Sequence, residues 1–140
     1  MRLYKIISNL LDYPDREIIE NLDELIQIID NSFEINRSEK ESLLTFINWM
    51  SGQSVIEIQQ EYVKTFDMTP EHSLHLTHHI FGDDKERGPA LIDLQEHFKK
   101  EGFEMKPGEI PDYLPLLLEY VATLDEHDAG AFLADANKII

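Results

Sequence analysis

The stretch Asp15-Arg16-Glu17-Ile18-Ile19-Glu20-Asn21-Leu22-Asp23-Glu24-Leu25-Ile26-Gln27-Ile28-Ile29-Asp30 decides the fold class. Ile18, Ile19, Leu22, Leu25, Ile26 and Ile29 recur at the steps that put side chains on one side of an α-helix, while acids fill the other side. Asp15 stands where a helix needs an N-cap, because its short side chain can accept from the free amides of the first turn. Working outward, Ile6, Ile7, Leu10 and Leu11 form one such stripe before it, and Leu43, Leu44, Ile47 and Met50 form another after it. Ser38 with Glu41, and Ser54 with Glu57, read as capping boxes, and Gly52, Gly82 and Gly102 read as stops. Further helices are expected over 55–66, 72–81, from Arg87 or Gly88 to Glu101, over 112–124, and from Ala129 to the end, with Pro89 and Pro115 in first turns. Loops fall at 68–70 and 104–108. Sustained alternation is absent, so the expectation is an all-α helical bundle forming one domain over 1–140. Phe132, Leu133, Ala136, Ile139 and Ile140 make an apolar stripe that stops without a cap; either the start of the chain covers it or the natural protein continues, this chain being C-terminally truncated.

Composition narrows the chemistry. The chain has no cysteine, which excludes disulfides, thiolate catalysis and iron–sulfur ligation. Against 28 acidic residues stand 12 basic ones, a formal charge of -16 that repels nucleic-acid phosphates and anionic lipid and attracts cationic segments of proteins. The same acidity also serves solubility. No segment approaches the ~20 apolar residues of a membrane span, and Met1-Arg2-Leu3-Tyr4-Lys5 leads into a helix pattern with no leader cleavage site, so a cytoplasmic protein is expected.

His72, His75, His78 and His79 concentrate the potential metal ligands, and 72, 75 and 79 fall near one face if the segment is one helix. No His-Glu-x-x-His pattern accompanies them, so no metal is expected. Asp83, Asp84 and Glu86 suit a helix N-terminus and Arg87 an internal ion pair. A glycine-rich phosphate loop and a nucleophile with a base are both missing, which speaks against an enzyme and against a cofactor. Tyr62, Phe66, Leu74, Leu76, Ile80 and Phe81 fit core better than an exposed groove, with Tyr62 keeping a polar contact. Glu109-Ile110-Pro111-Asp112-Tyr113-Leu114-Pro115 reads as a rigid entry to a helix, Asp112 being its cap, or else as a peptide contact.

Three pieces in order carry a resemblance: Tyr62-x-x-x-Phe66-Asp67, then His79-x-x-Gly82, then Arg87-Gly88, followed by Glu109-x-Pro111-Asp112. They resemble the assembly chaperones of respiratory nitrate reductase, the NarJ or delta-subunit family, over most of the chain, from about Ile6–Pro14 to about Glu119–Leu124. The last piece is also similar to the Glu-Pro-x-Asp-His signature of the wider TorD/DmsD-like leader chaperones, with Tyr113 where the histidine stands. The resemblance implies an all-helical, cytoplasmic chaperone without cofactor. It would bind the N-terminal basic, amphipathic segment of the apo catalytic (alpha) subunit, assist molybdenum cofactor insertion and membrane assembly, and bind neither nucleic acid nor the bilayer itself. Tyr62, Phe66, Asp67, His79, Arg87, Glu109, Asp112 and Tyr113 are the expected peptide contacts. Relatives commonly continue past the equivalent of Ile140. Two alternatives stay open: a chaperone of a dimethyl-sulfoxide or trimethylamine-oxide reductase, and a metal-dependent helical hydrolase on His72, His75 and His79.

Overall fold

The computed structural model describes residues 2–137, and among them the protein is all-α. Helices α1 (Arg2–Leu11), α2 (Arg16–Glu20), α3 (Leu22–Asp30), α4 (Arg37–Ser51) and α5 (Val55–Tyr62) form the first half. A π-helical turn (Val63–Asp67) and a 3-10 turn (Pro70–His72) follow, then α6 (Leu76–Phe81), α7 (Arg87–Lys100), α8 (Leu114–Val121) and α9 (Glu126–Asn137).

The apolar stripes bury into two cores. Ile6, Leu10, Leu22, Leu25, Ile29, Ile47, Met50 and Ile58 make the first, an aliphatic cluster between α1, α3, α4 and α5. Leu76, Phe98, Leu116, Leu117, Tyr120, Val121 and Ala129 make the second, to which Phe103 and Phe132 add rings. Each large side chain taken fully out of water contributes roughly 1.5–3 kcal/mol before chain entropy is subtracted. Helix α1 joins the two cores: it packs along α8, sends Ile6 and Leu10 into the first cluster, and leans Tyr4 on the second. Buried Ser8 fastens that seam by donating to the Pro115 carbonyl at 2.5 Å.

Several boundaries differ from the sequence reading. The first long stripe is divided at Asn21, which ends α2 and begins α3. Helix α4 starts two residues earlier than Ser38: Asn36 caps it, accepting from Glu39 N at 2.9 Å while Glu39 accepts from Asn36 N at 2.8 Å. Asn serves as well as Ser there, and Glu41 instead pairs with Arg37 one turn back. Asp15 and the Ser54–Glu57 box stand as read. Gly82 and Gly102 take positive φ of 56° and 76°, whereas Gly52 ends α4 in right-handed backbone. The acids before α7 do not bond its first-turn amides; Asp84 accepts from Glu86 N in the turn before it. The stripe on α9 packs Phe132, Leu133 and Ala136 on the second core, and Ile139 and Ile140 lie outside the described residues.

Candidate functional site

A groove of about 280 Å³ opens where the end of α1, the outer side of α4, and α5 with its π-turn meet. Leu10, Leu11, Pro14, Phe46, Trp49, Met50, Ile58, Tyr62 and Phe66 line it, with Asp12, Glu61 and Thr65 as the polar members. Leu10, Met50 and Ile58 belong to the first core, so the groove floor is the outer surface of that core. Phe46 and Trp49 are turned outward because Ile47 and Met50 take the buried face of α4; they stack at 6.0 Å and stay 40% and 41% exposed. On the opposite wall the Tyr62 ring sits 5.0 Å from Phe66 and meets Tyr13 edge-on at 5.5 Å. The π-turn closes with Met68 N donating to Val63 O at 2.9 Å, a wide turn that single functional segments often use.

Polar contacts hold the Tyr62 wall. The hydroxyls of Tyr62 and Tyr113 share a hydrogen bond, and the Tyr113 hydroxyl donates to Asp12 Oδ1 at 3.1 Å. Asp12 Oδ1 also accepts from Tyr13 N at 2.8 Å. Burial pushes both phenols above their ordinary range, and the Asp12 carboxylate adds to this, so both remain protonated donors at neutral pH.

One residue earlier the same loop builds a second node. Asp112 is fully buried, and its Oδ2 accepts from Thr77 N at 2.9 Å and from the Thr77 hydroxyl. Its Oδ1 meets His75 Nδ1 at 3.3 Å, and the Arg87 guanidinium lies 3.7 Å from Oδ2 while its Nε donates to Thr77 Oγ1 at 3.1 Å. Burial raises the Asp112 pKa, but the bonds from His75 and from the Thr77 hydroxyl and amide outweigh it, helped by the charge of His75, and the pKa lies below the ordinary carboxylate value. Asp112 therefore caps a helix, though a different one from that expected. Helix α8 begins at Leu114 without a side-chain cap, and Asp112 instead satisfies the first turn of α6, whose preceding residue His75 leaves it uncapped. Two backbone bonds align the segments, Leu76 N to Asp112 O at 3.1 Å and Leu114 N to Leu74 O at 2.8 Å.

The sequence-derived contacts thus separate. Tyr62 and Phe66 line the groove, Phe66 half-buried on its wall and not sealed in the core, and Ile80 is exposed. Tyr113 stands behind Tyr62 and holds it. Buried Asp112 and partly exposed Arg87 form the second node; Arg87 is the ion-pair anchor expected, with Asp112 as its partner. Asp67 and His79 are exposed outside the groove lining, His79 Nε2 meeting the Ser73 carbonyl at 2.6 Å. Glu109 accepts from Lys106 N at 2.7 Å in an exposed turn. The histidine face dissolves, because the chain leaves helix at Ser73–His75 to pair with 112–114: His72 turns to Thr65 O and His75 to Asp112. Among the described residues no group of three or more His, Cys, Asp or Glu could hold a metal ion. Sequence reasoning missed Asp12, Pro14, Phe46 and Trp49. The available signal was that Phe46 and Trp49 are large rings lying off the Leu43, Ile47, Met50 stripe.

A family model described as nitrate reductase delta subunit matches residues 11–139. The chain belongs to that family. The nitrate reductase molybdenum cofactor assembly chaperone NarJ of Escherichia coli K12 is 31% identical over 135 residues, 96% of this chain and 57% of that protein. The probable nitrate reductase molybdenum cofactor assembly chaperone NarJ of Bacillus subtilis 168 is 34% identical over 125 residues, 87% of this chain and 65% of its own length. The probable chaperone NarW of Escherichia coli K12 is 29% identical over 140 residues, 58% of its length. The chain thus spans under two thirds of these delta subunit relatives. No described helix is long and apolar enough to cross a membrane.

Proposed function

We propose that this delta subunit family chain is a system-specific cytoplasmic chaperone, not an enzyme. In this reading it binds the N-terminal segment of the apo catalytic subunit of nitrate reductase and keeps that subunit competent for molybdenum cofactor insertion and membrane assembly. The observation that carries the reading is the groove: a family member whose relatives are named assembly chaperones leaves an aromatic, helix-lined slot open on its first core. An amphipathic helix fits such a slot by its apolar face. Asp12 and Glu61 stand on the rim, and the adjoining cleft around Asp12 carries Asp15, Glu17 and Glu24, a charge pattern that favours a segment bearing Lys or Arg beside its apolar anchors. Buried apolar contacts would hold the complex, and the acidic rim would speed encounter. Within the contact set, Tyr62 and Phe66 are the direct contacts, joined by Phe46 and Trp49; Tyr113, Asp112 and Arg87 act from behind them.

Trp49 is the chain's single tryptophan and supplies the test. Titrating a tryptophan-free synthetic peptide of the catalytic subunit's N-terminal segment should shift Trp49 emission to the blue and saturate at one equivalent. A peptide of the same composition with its apolar and basic positions scrambled should not. Equal response to both, or none to either, removes this reading.

A further inference from the structure

We propose that Tyr113, which does not line the groove, is the positioning residue that fixes where Tyr62 stands in it, and so decides which apolar anchor the groove accepts. The inference rests on the groove being the binding site, and its chemistry comes from the direction of one hydrogen-bond relay. The Tyr113 hydroxyl has one proton and donates it to Asp12 Oδ1. Its oxygen must then accept from Tyr62, so the relay runs Tyr62 to Tyr113 to Asp12 and ends on a carboxylate whose same oxygen is held by Tyr13 N. Bonds ending on a charged acceptor are the strong and directional ones.

The two tyrosines differ in what else holds them. Tyr62 has groove space on one side and ring contacts with Tyr13 and Phe66 on the other; contacts of that kind tolerate rotation and sliding. Tyr113 cannot follow such motion. The backbone on either side of it bonds to residues 74 and 76, and the carboxylate of the residue before it is buried against Thr77. A stiff post rooted beside the second core therefore sets a soft wall on the first. Without the relay, the Tyr62 ring turns into the groove, and an anchor side chain must displace it before seating. That reduces the affinity by the fraction of chains with the slot open.

The experiment uses Tyr113→Phe, Tyr62→Phe and the double variant, each measured for melting temperature, for acrylamide quenching of Trp49, and for affinity toward the N-terminal peptide. Breaking the relay at either tyrosine should weaken the peptide roughly tenfold in either single variant, with no further loss in the double. Trp49 quenching should move in the same direction and to the same extent in all three. Additive losses in the double variant, or wild-type affinity and quenching in Tyr113→Phe, overturn the proposal. If Tyr113→Phe lowers the melting temperature as well, Tyr62→Phe decides, since it leaves the anchorage of the loop intact: a matching loss supports the relay and wild-type behaviour rejects it. If the wild-type chain binds no peptide, the client reading fails, while coincident quenching changes in the three variants still uphold the relay.

Discussion

The two cores treat the same kinds of side chain in opposite ways. Around the second, Phe98, Phe103, Tyr120 and Phe132 close on one another at 4.8 to 5.5 Å, and Phe98 is wholly buried. Tyr120 still finds a polar partner there, its hydroxyl 3.0 Å from His97 Nε2. Around the first, aliphatic side chains complete the interior without help, and Phe46, Trp49, Tyr62 and Phe66 are left as walls of an open slot. Aromatic residues that add nothing to a finished core are the material of a recognition surface, because they present large rigid area at low entropic cost.

The sharpest way to break this contrast is to truncate one ring from each side. Phe98→Ala should lower stability by ~3–5 kcal/mol through lost burial and a residual cavity, seen as an early denaturant midpoint. Trp49→Ala should lower it by less than ~1 kcal/mol yet reduce peptide affinity by ~2 kcal/mol or more, as truncation of a central anchor does. Similar melting curves for the two variants would erase the distinction.

Next in size is the node that anchors the loop. Asp112→Ala leaves the Thr77 amide and the Arg87 guanidinium without their acceptor and should cost ~2–3 kcal/mol. Asp112→Asn keeps one acceptor oxygen and should retain part of that stability. The same pair sharpens the comparison in pH. The Asp112 pKa is lower in the folded protein than its ordinary value of 3.8, so ionised Asp112 contributes stability that is fully present above that value and is lost as pH falls through the lower folded value. The melting temperature of the wild-type chain should therefore fall more steeply below about pH 4 than that of Asp112→Asn. Parallel curves would mean that the carboxylate charge contributes nothing. The smallest effect is expected at Glu109, whose carboxylate serves one exposed turn: Glu109→Gln should change stability and peptide affinity by less than ~0.5 kcal/mol. A several-fold loss of peptide would enlarge the site to include the 106–109 turn.

Particular residues mark how far the sequence could be read. The Ser54–Glu57 box and the Asp15 cap were legible because donor and acceptor lie three residues apart, within one helical turn. The helix expected over 72–81 was not, because nothing local reveals that the backbone at Leu74 and Leu76 bonds to residues 114 and 112. Asp112 was recognisable as a cap, since a short acid between prolines suits no other local role so well, but not the helix it caps. Phe66 carries equal hydrophobicity whether sealed or lining a groove, so periodicity could not assign it to groove or core.

By itself, then, the sequence determined the helical class, the starts of α2, α5 and α7, the acidity and the family motifs, all of which depend on spacing within a turn or on composition. The tertiary structure alone decided that Asp112 caps α6 across 35 residues, that Tyr113 reaches Tyr62 across 51, and that α4 turns Phe46 and Trp49 outward over a core already complete. The reason is physical. Periodicity and capping follow from the geometry of a single turn, whereas the facing of a ring and the partner of a buried charge depend on which helices dock, and that is settled only when both cores close together.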